Sequence, residues 1–113
     1  MTDGPLTLAI DVGGSGLKAT VLAPDGEMLS ERVRRDTPYP CTPPVLLDEL
    51  DALAKTQPEY DRVSVGYPGA IRRGIVRDVT AFVRPAPGEP KDPKLIKQWI
   101  GYDLQSALAE EAL

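Results

Sequence analysis

The chain has 113 residues, a net charge of −4, no histidine and one cysteine. Without histidine there is no imidazole base, no Ser-His relay and no His-ligated zinc, and the lone Cys41 excludes an internal disulfide and a multi-thiolate metal site, so acid–base work falls to carboxylates. The acidic balance argues against nucleic acid as a partner, no apolar run nears the roughly 20 residues of a membrane span and no secretory leader pattern opens the chain, which predicts one cytoplasmic domain over 1–113.

Leu6 to Asp11 reads as an apolar strand that delivers a carboxylate into the turn Val12-Gly13-Gly14-Ser15-Gly16, and Leu17 to Leu22 reads as a second strand carrying Lys18 near its start. Glycines in such a turn can take positive φ and leave no Cβ in the way of an anion, so several N–H groups can face one phosphate. Gly14-Ser15-Gly16-Leu17-Lys18-Ala19 formally fits a dinucleotide fingerprint and loosely a P-loop, but both need a helix directly after the loop. Here β-branched residues run into Pro24-Asp25-Gly26, a turn signal, and Lys18 lacks the Gly-Lys-Ser/Thr context, so a β-hairpin fits better. The bland reading is a glycine-rich hairpin with no ligand.

A third strand is expected from Glu27 to Arg34, which completes an antiparallel meander and leaves Arg32, Arg34 and Arg35 on a solvated face. Thr37 to Pro44 breaks regular structure, and Thr42 followed by Pro43 signals a helix start, with the helix running to about Lys55. Val45, Leu46, Leu50, Leu53 and Ala54 form its apolar face; Asp48, Glu49, Asp51 and Lys55 form its wet one. A strand from Arg62 to Val65 then ends in Gly66-Tyr67-Pro68-Gly69, which by itself is as well read as a type II turn, and a second β-type run follows at Gly74-Ile75-Val76. The stretch 84–93 is proline-rich and reads as an exposed loop. Asp103 is placed as the N-cap of a helix with Leu104, Ala107, Leu108 and Ala112 on one face, and Asp78 as a solvated strand-end residue.

The string Asp11-Val12-Gly13-Gly14-Ser15-Gly16-Leu17-Lys18 resembles the first phosphate motif of the actin-like ATPase and sugar kinase superfamily, and in particular that of the ROK sugar kinases and their polyphosphate glucokinase branch. Gly66-Tyr67-Pro68-Gly69 and Trp99-Ile100-Gly101-Tyr102-Asp103-Leu104 resemble later segments of the same group, in the same order. The resemblance implies a ribonuclease H-like α/β lobe, with an antiparallel three-stranded meander, parallel strands and helices, incomplete at its C-terminus. It implies that Asp11 positions Mg²⁺, that Gly13, Gly14, Ser15 and Lys18 bind phosphate of ATP or polyphosphate, and that Gly66, Pro68 and Gly69 line a sugar pocket. The family's general base is expected beyond residue 113, so no catalytic residue is assigned within the chain.

The family's usual asparagine after the Gly-x-Pro-Gly hairpin is absent, since Val79-Thr80-Ala81-Phe82-Val83 stands there, and an apolar ring cannot replace an amide. Two readings follow. One is the N-terminal lobe of a sugar kinase, inactive when isolated, that pairs with a second lobe or a second copy. The other is a non-catalytic anion- or sugar-binding module on the same fold.

Overall fold

The computed structural model describes residues 4–112, with side chains to residue 110. Its elements are β1 (Thr7–Val12), β2 (Gly16–Leu22), β3 (Val33–Asp36), α1 (Pro43–Ala54), β4 (Arg62–Gly66), β5 (Gly69–Arg72), β6 (Ile75–Val79), α2 (Pro93–Trp99) and α3 (Leu104–Ala107), which runs into a wide π-type turn over Leu108–Ala112. One mixed sheet has the order β3-β2-β1-β4, and β5 and β6 form a separate hairpin. β1 and β2 are antiparallel, as are β2 and β3, while β4 lies parallel to β1.

Alternation in the strands decides which face is covered. Leu8, Ile10 and Val12 stand opposite Val21, Ala19 and Leu17, and all six are buried in the core together with Leu46, Leu50 and Leu53 of α1. α1 starts as expected: Thr42 Oγ1 accepts the Val45 N–H at 3.4 Å and Pro43 occupies the first turn, where its missing donor costs nothing.

Three expectations need correction. The third strand lies at Val33–Asp36, not Glu27–Arg34, because Ser30 intercepts the ladder: its Oγ accepts the Val21 N–H at 3.0 Å and its carbonyl accepts from Thr20 Oγ1 at 2.9 Å. Met28 keeps only an isolated bridge to Leu22, and Met28 and Leu29 are left exposed. The proline-rich stretch ends inside a helix: Asp92 caps α2 by accepting the Lys94 N–H at 2.9 Å, and Pro93 takes its first turn. The last helix has its Asp103 cap, but its α-helical part is four residues long, and the side chain of Ala112, expected on its apolar face, lies outside the described residues.

Phe82 and Trp99 are fully buried, with ring centroids 5.1 Å apart, and Tyr67 lies 5.9 Å from Phe82 and 5.7 Å from Trp99. Trp99 Nε1 donates to the Cys41 carbonyl at 2.9 Å, so α2 ties down the segment between β3 and α1. β4 is an edge strand, and Ile71, Leu104 and Leu108 stand across a groove of about 550 Å³ from Val63 and Val65. Among the described residues no helix is long and apolar enough to cross a membrane.

Leu50 is fully buried on the inner face of α1. Leu50→Ala is expected to lower unfolding free energy by about 2–5 kcal/mol, read from the shift in urea midpoint at constant slope.

Candidate phosphate-binding site

The β1–β2 register places Asp11 opposite Lys18; Lys18 in turn stands opposite Arg34, and Asp11 opposite Gly66. Cross-strand partners share a face, so Arg34, Lys18, Asp11 and Gly66 form a row across four strands on the face away from α1. Asp11 is exposed and Lys18 half-buried, and among the described residues neither is engaged in an ion pair. Gly66 ends β4 beside the Asp11 carboxylate: a Cβ there would stand 3.5 Å from Oδ1.

The loop between β1 and β2 is closed by the Gly13 N–H donating to the Gly16 carbonyl at 3.0 Å. Positive φ, expected of its glycines, is not used: Gly13, Gly14 and Gly16 all lie outside that region. Space is short at Gly13 and Gly16: a Cβ on Gly13 would stand 3.1 Å from Gly16 O. A Cβ on Gly16 would meet the Arg34 guanidinium at 2.6 Å, and one on Gly14 would touch Ala81 at 3.4 Å.

Donors from β3 and the chain after it bind the loop's carbonyls. Thr37 Oγ1 donates to Gly13 O at 2.7 Å, the Tyr39 hydroxyl to Gly14 O at 2.6 Å and Arg34 Nη2 to Ser15 O at 2.9 Å. Arg34 is itself held by Asp36 Oδ1 at 2.6 Å, so it does more than solvate a strand face. A planar trans peptide points its N–H opposite its C=O, so the N–H groups of Gly14 and Ser15 face away from Thr37 and Tyr39. Among the described residues no acceptor meets either N–H.

Gly66, Pro68 and Gly69 lie at the end of β4, in the turn and at the start of β5. The turn closes through the Gly69 N–H to Tyr67 O at 2.9 Å, and the Thr80 N–H donates to Pro68 O at 3.2 Å. Ala81 packs beside Gly14, so Thr80 and Ala81 bridge this turn to the glycine loop. Gly69 can only be glycine, because a Cβ would overlap the Asp78 carbonyl. No cluster of three or more His, Cys, Asp or Glu side chains that could hold a metal occurs among the described residues. Sequence reasoning missed Arg34, Thr37 and Tyr39; only the two hydroxyls close after a strand hinted at them.

These features define an α/β lobe that presents a backbone loop beside a carboxylate and a lysine. The ROK family model matches residues 7–110, and the chain belongs to the ROK family. It is 27% identical over 103 residues to polyphosphate glucokinase of Mycobacterium tuberculosis H37Rv, covering 90% of this chain and 34% of that protein. It is 42% identical over 71 residues to N-acetylmannosamine kinase of Escherichia coli K12, covering 60% of this chain and 23% of that protein. Among solved structures it resembles the inorganic polyphosphate/ATP-glucomannokinase of Arthrobacter sp. strain KM, with a TM-score of 0.70, 27% identity and coverage of 95% of this chain and 40% of that one. A ROK glucokinase of Streptomyces griseus in complex with glucose and AMPPNP shares the fold at a TM-score of 0.63 and 20% identity, over 93% of this chain and 30% of that one. The chain thus spans about a third of the length of the polyphosphate glucokinase it matches.

Cys41, buried behind the loop's supporting segment, has its thiol pushed up to about 12 by desolvation, with the nearby Glu49 charge adding to it. Burial also raises the Tyr39 and Tyr67 hydroxyls. The folded thiol keeps its proton to higher pH than the unfolded one, so its contribution to stability is complete below 9.0 and is lost as pH rises toward about 12; the two tyrosines act in the same direction. Urea midpoints measured across that window are expected to fall, and at about pH 8 iodoacetamide should alkylate Cys41 only after denaturant is added.

Proposed function

We propose that this chain is the N-terminal, phosphate-binding lobe of a ROK sugar kinase, which transfers a phosphoryl group from ATP or polyphosphate to a hexose such as glucose. The observation that carries this reading is the pair of N–H groups at Gly14 and Ser15 that meet no protein acceptor among the described residues, flanked by a lysine and a carboxylate that make no ion pair there. Phosphoryl transfer asks the protein mainly for positioning and charge neutralisation. Gly13, Gly14 and Ser15 would supply the loop and its hydroxyl, Lys18 a point charge, and Asp11 a ligand for Mg²⁺. Mg²⁺ would screen the charge of the phosphoryl group in flight.

Gly66, Pro68 and Gly69 are proposed to line the sugar side, where Gly66 and Gly69 are exposed. The acceptor hydroxyl attacks phosphorus, the bond to the donor oxygen breaks, and the hydroxyl proton needs a base. Asp103 spends its carboxylate on the Ser106 N–H and hydroxyl, at 3.1 and 3.0 Å, and Asp78 is an exposed residue of β6, so neither is assigned that role. The isolated lobe is accordingly expected to bind donor without turnover.

One observation favours a second reading, a non-catalytic anion- or sugar-binding module. Phe82, where the family's amide is expected, points into the aromatic core and offers nothing to a sugar.

Calorimetric titration of the chain with Mg-ATP and with polyphosphate is expected to give binding that weakens by about tenfold or more in Lys18→Ala, the scale of a charge-assisted contact, with an unchanged thermal midpoint. Equal affinity in parent and variant would remove Lys18 from the site.

A further inference from the structure

We propose that Thr37 and Tyr39 are positioning residues of the anion site, clamping the carbonyl side of the glycine loop so that its N–H side is aimed outward; this rests on the phosphate-binding reading above. The loop needs such a device. Gly13 and Gly14 have no Cβ to restrict them, and neither sits in the left-handed region that would mark a conformation reserved for glycine. Left alone, the Gly13–Gly14 and Gly14–Ser15 peptides could each rotate and present a carbonyl, which repels a phosphoryl oxygen, where an N–H is wanted.

The two hydroxyls remove that freedom. Thr37 Oγ1 and the Tyr39 hydroxyl take successive carbonyls, Gly13 O and Gly14 O, at 2.7 and 2.6 Å. Each N–H that follows is thereby turned away from the hydroxyl that holds its own peptide's carbonyl. Both donors are anchored from behind. Thr37 is 7% exposed and its own N–H donates to Ser15 O at 3.3 Å, and Tyr39 packs against the hydrophobic core. The Trp99 hydrogen bond to Cys41 O fixes the chain just beyond them. Neither residue is placed against the ligand, so each acts through the loop.

Tripolyphosphate is the probe, titrated into the full chain, with amide resonances of Gly14 and Ser15 followed by ¹⁵N NMR. Tyr39→Phe keeps the ring and deletes one donor; Thr37→Val keeps the shape and deletes the other; Thr37→Ser keeps the hydroxyl. Both hydroxyl-free variants are expected to bind about threefold to tenfold more weakly, the effect of one net hydrogen bond, while Thr37→Ser stays close to the parent. The Gly14 and Ser15 amides of the unliganded hydroxyl-free variants should also move from their parent positions, which loss of overall stability alone would not produce. Parent-like affinity in folded Tyr39→Phe and Thr37→Val, or equal weakening in Thr37→Ser and Thr37→Val, would overturn the clamp. A parent chain that fails to bind tripolyphosphate at all would instead overturn the phosphate-binding reading and the clamp with it.

Discussion

The pairing register of β1 with β2 is the constraint on which the remainder depends. Side chains in a strand alternate with a period of two, so a slip by one residue would carry Leu8, Ile10 and Val12 out of the core and turn Asp11 inward. The hairpin loop closes through Gly13 and Gly16, which sets Val12 opposite Leu17 and Asp11 opposite Lys18 in one act. Core formation and charge placement are therefore a single event: burying one face against α1 obliges the other to present the carboxylate and the lysine.

A second layer of support comes from distant parts of the chain. Trp99 lies at the end of α2, yet its indole N–H is spent on Cys41, 58 residues earlier, and its ring packs with Phe82 and Tyr67. This aromatic cluster joins three otherwise separate pieces: the turn after β4, the segment after β6 and the chain entering α1. A buried indole donor without an acceptor is costly, so the pairing specifies as well as stabilises. Fully buried Phe82 belongs to this scaffold, which explains a bulky apolar residue close to the site.

Much of this was legible in sequence because the signals were local. The Asp11–Lys18 string could be read as strand, loop and strand, and Thr42-Pro43 marked the start of α1 correctly. Asp92-Pro93 is the same kind of signal at α2, but the prolines before it masked the last one, which begins a helix. The end of the meander was misplaced because alternation in Glu27–Arg34 cannot reveal that Ser30 replaces a ladder bond. In the candidate site, the residue types with intrinsic chemistry, namely the carboxylate, the lysine and the glycines, can be picked out from the sequence. Their supports cannot, since Thr37 and Tyr39 act on carbonyls 24 and 25 positions away, and that distance closes only when β3 pairs with β2. The reason for the glycines also differed: at Gly13 and Gly16 it is room for neighbours, not backbone angles.

Among the described residues no strand pairs with the outer edge of β4, which bears on how the chain can be handled. An edge strand offers a row of backbone donors and acceptors to any other strand, and proteins usually blunt such edges with lysine, proline or a bulge. Arg62–Gly66 has none of these, and its charge is confined to Arg62 at the start. Self-association at high concentration would therefore begin at the strand whose last residue borders the Asp11 carboxylate, and it would crowd the site as well as remove protein from solution. Val63 and Val65 belong to the apolar groove, which leaves exposed Ser64, on the opposite face, as the position where a lysine could protect the edge without unpacking the core.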